Sequence, residues 1–191
     1  MEQIRKDFHN DLDAARAEVI RLGASLTESI PRATAILLSG DLEGADYLVQ
    51  ADDEFDARSA ELEALCFEIL ALQAPVAADL RQIIAIIKIA GELERSADLV
   101  VNICKAARRI YGHNIDPILR GVISKMSEQA QKLFESTMEA FEENDAAKAA
   151  AIDDMDSYLD SLHRQFIQQI FESHSNSKID LQVAVQLAVV A

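Results

Sequence analysis

The stretch "IAIIKIAGELERSADLVVNI" (residues 84–103) is among the most apolar in the chain, yet it carries Glu92, Glu94 and Asp98. Its apolar residues recur with a helical period, so it is read as a helix and not as a strand. At about 100° per residue, Ile83, Ile87, Ala90, Glu94, Asp98 and Val101 fall within a band of roughly 80°. Ile86, Leu93, Ala97, Val100 and Cys104 extend that band into a wide apolar arc. Glu92 points the other way, toward Arg81, Lys88 and Arg95, and is read as solvated. Glu94 and Asp98 stand at i and i+4 on the core-leaning side. There, unpaired carboxylates cost several kcal/mol. A cationic side chain from another helix, a shared proton or a metal ion would neutralise them. Oxygen-only ligands favour hard cations such as Mg²⁺ or Mn²⁺, or carboxylate-bridged iron. A charged helix flank is the simpler reading of the same spacing.

Working outward from this helix, six helices are expected. The first covers about 2–39 with a stripe from Phe8 and Leu12 through Val19, Leu22, Leu26 and Ile30 to Leu37. Pro31 inside it predicts a kink or a local break. "SGD" ends it, with Asp41 as N-cap of a second helix over about 42–72. "QAP" breaks the chain and puts Pro75 in the first turn of a third helix, about 76–111, with Gly112 as its C-cap.

The next two helices repeat the first two. A shift of 104 residues places Val19 on Ile123, Leu22 on Met126, Ile30 on Phe134 and Leu37 on Phe141. It also places Leu48 on Ile152, Phe55 on Leu159, Leu62 on Phe166 and Phe67 on Phe171. Acids follow the same register: Asp41 on Asp145, Asp52 on Asp156, Asp56 on Asp160. A stripe alone recurs by chance; register kept through two helices, their loop and their acids indicates duplication of a three-helix unit. In the sixth helix "DLQVAVQLAVVA" (180–191) aligns with "DLRQIIAIIKIA" (79–90) at a shift of 101. The counterpart of "GELERSAD" does not follow. The second unit is therefore expected to be incomplete at its third helix, leaving its groove partly open and the chain prone to self-association or low stability. The units are placed at 1–112 and 113–191.

The composition agrees with an all-α chain of two tandem three-helix bundles. Half of the 191 residues are hydrophobic, only 5% are aromatic, and there are 6 Gly and 3 Pro. The net charge of −15 disfavours nucleic acid and anionic membrane. The N-terminus has no apolar signal core, and no run is long enough to span a bilayer, which points to the cytoplasm. Cys66 and Cys104 lie on apolar faces and are read as buried free thiols.

The segment Q73-A-P-V-A-A-D-L-R81, followed by G91-E-L-E-R-S-A-D98-L-V-V-N-I-C-K105, resembles the signature of the PhoU family of phosphate-uptake regulators. In that family E-x-x-x-D, within E-R-x-x-D, lies on the third helix of each repeat; Glu94, Arg95 and Asp98 match it. The resemblance spans essentially the whole chain. It implies two three-helix bundles in a cytoplasmic, dimeric protein that is not an enzyme. Such proteins act with the ATPase of the phosphate ABC transporter and with a sensor histidine kinase. They restrain phosphate uptake and starvation-gene expression when phosphate is plentiful. Several hold Mg, Mn, Zn or Fe through acids of the two motifs. By this resemblance Glu94 and Asp98 become metal candidates. Asp52 and Asp56, with their repeat mates Asp156 and Asp160, also pair at i and i+4 and are secondary candidates; acids on a solvated face is the favoured reading of these four. With the second motif missing, one site of two is expected.

Two other readings compete. A metal-free helical interaction module needs nothing beyond the bundles. A ferritin-like di-iron protein needs two E-x-x-H motifs on facing helices. The chain offers only Asp160-x-x-His163, while His9, His113 and His174 sit near segment ends. No phosphate loop, nucleophile elbow or zinc spacing is present, so no catalytic residue is assigned.

Overall fold

The computed structural model describes residues 2–191, with side chains from Phe8 onward. Six helices follow in order: α1 (Glu2–Ser39), α2 (Leu42–Gln73), α3 (Ala77–Arg109), α4 (Pro117–Glu143), α5 (Ala146–Ser175) and α6 (Leu181–Val189). Among the described residues there is no strand. The expected all-α duplication is what the chain forms. Equivalent acids start equivalent helices: Asp41 Oδ1 accepts from the Gly44 amide at 2.9 Å, and Asp145 Oδ1 accepts from those of Ala147 and Lys148 at 2.8 and 3.0 Å. Each satisfies amides that a helix start otherwise leaves without a partner.

Two local expectations are corrected. Pro31 does not break α1, which continues through it to Ser39. The buried residues Leu26, Ile30 and Ala33 on either side of the proline hold the helix against its neighbours. Thr27 and Thr34 turn their hydroxyls back onto the carbonyls of Gly23 and Ile30 at 2.8 and 3.0 Å. Pro75 stands ahead of α3 rather than in its first turn. Val76 is the cap residue, and Ala74 and Ala77 both take positive φ, 44° and 51°. The left-handed residue at Ala74 closes α2 as a glycine commonly does. At the far end α3 is capped by Ile110; Gly112, at φ 81°, supplies the left-handed turn just beyond.

In the first unit α1, α2 and α3 each pack on the other two. In the second, α4 packs on α5, whereas the short α6 lies on α5 and the end of α3 without reaching α4. The units join through α1 and α4, whose stripes meet in one apolar core containing Leu22, Leu26, Ile83, Leu119, Phe166 and Leu187. Close approach there depends on Gly23, where an added Cβ would overlap the Met138 side chain.

The α1–α4 pair is antiparallel, and two arginines fix it. Arg16 Nη2 donates to the carbonyls of Phe141 and Glu142 at 3.0 and 2.7 Å, at the end of α4. Arg120 Nη1 donates to the Leu38 carbonyl at 2.7 Å, at the end of α1. The 104-residue shift that maps Arg16 onto Arg120 also maps Leu38 onto Glu142. The duplicated units are thus joined by reciprocal copies of one contact, each putting a cation on helix-terminal carbonyls.

Cys66 and Cys104 are free and fully buried, as read from their positions. Burial pushes both thiols up to about 11.

Candidate functional site

The α2–α3 hairpin sets the geometry of the acids. Ser59, almost wholly buried on α2, donates its hydroxyl to Glu94 Oε2 at 3.1 Å. That bond fixes the hairpin register and brings Asp52 and Asp56 on α2 alongside Glu94 and Asp98 on α3. Asp52 and Asp56 feel their surroundings. Partial burial, then the charges of Glu94 and Asp98, push Asp56 above its ordinary value. Burial followed by Asp56 and Asp98 does the same for Asp52, opposed by Lys105. Among the described residues none of the four is in an ion pair.

The expected inward lean of Glu94 and Asp98 is not what the chain adopts: both are exposed. The buried stripe of α3 runs through Ile83, Ile86, Ala90, Leu93, Ala97, Val100 and Cys104. Glu94 and Asp98 stand one step off it, at the seam with α2, so water meets much of their solvation demand. Glu92 is solvated as read, 3.8 Å from Arg95 on the outer face.

The donor set of the seam is all oxygen and anionic, suited to a hard divalent cation. Among the described residues, however, no three His, Cys, Asp or Glu side chains converge as a ligand set. The four acids lie near one another along the seam, and rotation of their side chains is required to close ligands around an ion.

Asp156 and Asp160 do not join this cluster. Both are exposed and line a groove of about 500 Å³ between α1, α3, α4 and α5, together with His163 and Phe166. Asp160 lies 3.9 Å from Arg164. Val190 and Ala191, just past α6, close one end of this groove. His163 is an exposed rim residue, and the other described histidines form no di-iron pattern with it: His113 pairs with Asp180, and His174 bonds the Ile179 carbonyl at 3.2 Å.

Two features were not singled out in the sequence. Ser59 carried a weak signal, a small polar residue on the core side of α2. Arg32, lying 4.5 Å from the Tyr47 ring centroid, lines a cleft of about 370 Å³ with Asp52 and Arg58.

This geometry coincides with a family pattern. A profile described as the PhoU domain matches residues 19–107 and again 123–191, one match in each unit.

The chain belongs to the PhoU family.

Curated PhoU relatives align over most of their own length. The phosphate-specific transport system accessory protein PhoU homolog of Clostridium acetobutylicum is 27% identical over 187 residues, covering 97% of this chain and 85% of the relative. PhoU homolog 1 of Mycobacterium tuberculosis is 32% identical over 170 residues, covering 88% and 77%. Among solved structures, PhoU from Pseudomonas aeruginosa superposes with a TM-score of 0.89 at 21% identity, covering 96% of this chain and 88% of that one. The phosphate transport system regulatory protein PhoU from Streptococcus pneumoniae gives 0.86 at 22% identity, with 96% and 86% covered. These two establish the shared fold. No described helix is long and apolar enough to cross a membrane.

Proposed function

We propose that this protein is a regulatory accessory of phosphate transport that acts by protein contact rather than by catalysis. The observation that carries the reading is the PhoU-domain match in both units, with relatives named as accessory proteins of the phosphate-specific transport system. Its partners on this reading are the transporter ATPase and a phosphate-sensing histidine kinase. It restrains uptake and starvation signalling from the cytoplasm, as a homodimer. A pull-down of each partner with the purified chain tests this, and binding to neither partner defeats it.

The seam formed by Asp52, Asp56, Glu94 and Asp98 is proposed as the site for a divalent cation, with Mg²⁺ or Mn²⁺ preferred over iron or zinc because every donor is a hard oxygen. The supporting observation is that burial, and after it the like charge of neighbouring acids, raises Asp52 and Asp56; a bound cation relieves the like charge. A metal-free interaction module is the second reading, favoured by the lack of three converging ligands among the described residues. Elemental analysis of purified protein separates the two readings.

A further inference from the structure

The cleft of about 370 Å³ in the first unit lies between α1 and α2, with α3 behind it. Small residues open it: Ser29 and Ala51 stand where the second unit carries Leu133 and Met155. Its floor is apolar, with Leu26, Leu48 and Val100 buried. Its rim carries the acids Glu28, Asp52 and Glu54. Two cations line it as well, and neither pairs with these acids. Arg58 is held by Glu18 at 2.7 Å. The Arg32 guanidinium lies 4.5 Å from the Tyr47 ring centroid instead of against Glu28, one turn before it on α1. Among the described residues Glu28, Asp52 and Glu54 are in no ion pair. The cleft thus seats a cation on an aromatic face beside uncommitted acids, and that cation is the chain's own. The second unit has lost the arrangement: Glu28 corresponds to Lys132, Arg32 to Ser136 and Tyr47 to Ala151.

We propose that this cleft binds a small organic cation, an aliphatic di- or triamine, and that Arg32 is a tethered competitor for it. One ammonium takes the Tyr47 face, to which the ring quadrupole attracts it. The methylenes lie on the apolar floor, and a second ammonium meets Asp52 or Glu54. Tyr47 and Glu54 stand two helical turns apart, about 10 Å, a span that an extended diamine or triamine bridges. The volume falls at the small end of the range for ligand sites. An anion is disfavoured, since it would meet three unpaired acids on a chain of net charge −15. An exposed cation–π contact is weak, so Arg32 can swing out to solvent when the ligand enters. Asp52 also belongs to the α2–α3 seam, whereas Glu28, Arg32 and Tyr47 do not. The proposal therefore stands apart from cation binding at the seam.

The test is calorimetric titration of spermidine into the metal-stripped chain at about 150 mM salt, where long-range attraction is screened. The wild type should bind a single spermidine. Tyr47→Leu should weaken binding by about two- to fivefold, the range of an exposed cation–π contact, and Tyr47→Phe should retain it. Glu28→Gln should weaken it likewise. Arg32→Gln should tighten it, because the competitor is gone, whereas Lys125→Gln and Asp153→Asn, which alter exposed charges of the second unit by the same amounts, should change nothing. Circular dichroism confirms that the variants fold. The proposal is overturned if the wild type takes up no spermidine, if Tyr47→Leu binds as the wild type does, or if Arg32→Gln weakens binding. It is also overturned if Asp153→Asn weakens binding as much as Glu28→Gln, since the attraction is then diffuse and no site exists.

Discussion

Arg16 and Arg120 are the same residue twice: each reaches from early in its own helix to the last carbonyls of the other helix. This reciprocal contact ties the duplication to the packing, because it forces α1 and α4 to lie antiparallel. Arg16 is half-buried and its cation also stacks 5.6 Å from the Phe141 ring, whereas Arg120 is exposed. Arg16→Ala should therefore cost about 1–2 kcal/mol and Arg120→Ala less, within the range for charged hydrogen bonds and cation–π contacts. At roughly 2–4 °C per kcal/mol for a chain of this size, thermal melts resolve the order. Equal shifts would contradict it.

Gly23 lets α4 approach α1, and a side chain there meets the atoms of Met138, which is itself buried. Gly23→Val is expected to destabilise by about 1–3 kcal/mol through overpacking. Met138→Ala should then restore part of that loss, although alone it costs about 2–5 kcal/mol as a cavity. Chemical denaturation of the two single variants and the double variant measures the coupling, which should be favourable in the double variant.

Acid should act on the buried N-cap of α4. The Ser173 hydroxyl donates to Asp116 Oδ2 at 2.6 Å and Lys178 Nζ lies 3.7 Å from it, so its carboxyl is held below the ordinary range. The sign follows from linkage. A depressed carboxyl stabilises the fold above the unfolded value, about 3.9, and that contribution is lost as pH falls through the folded value. Stability should drop on acidification below about pH 4. Asp116→Asn and Ser173→Ala should each lose about 1–2 kcal/mol at neutral pH and show a shallower acid limb in denaturant titrations at several pH values.

The seam acids carry the opposite sign. Burial and like charge raise Asp52 and Asp56, so the native chain holds protons that the unfolded chain has released. Their penalty grows as pH rises from the unfolded value through the folded one and is constant above it. Asp56→Asn should stabilise by a few tenths of a kcal/mol at neutral pH, since the group is exposed and screened, and the gain should vanish in acid. A loss of stability at neutral pH would show that the seam is not repulsive.

The sequence made the duplication and most helix boundaries legible because they rest on local chemistry: caps at Asp41 and Asp145, and a stripe from Phe8 to Leu37. The mutual contact of Arg16 and Arg120 was not read, because a solvated arginine and a capping arginine look alike in one dimension. The place of Glu94 and Asp98 was half legible. A helical wheel puts them beside the stripe but does not say which neighbour borders that flank. Only the Ser59 contact places them at the α2 seam, exposed and near Asp52 and Asp56. The continuity of α1 past Pro31 was hidden for a related reason, since packing on both sides of the proline outweighs its local tendency to break the helix.

Cation binding at the α2–α3 seam is tested most directly by titrating Mn²⁺ into metal-stripped protein and following both bound metal and the thermal midpoint. Saturable binding of one ion should raise the midpoint by mass action. Glu94→Gln and Asp98→Asn should each weaken it by roughly tenfold or more, equivalent to about 1.4 kcal/mol, while Asp156→Asn and Asp160→Asn leave it unchanged. Absence of saturable binding, or binding that survives the Glu94→Gln, Asp98→Asn double variant, would contradict the account and leave the metal-free interaction module in its place.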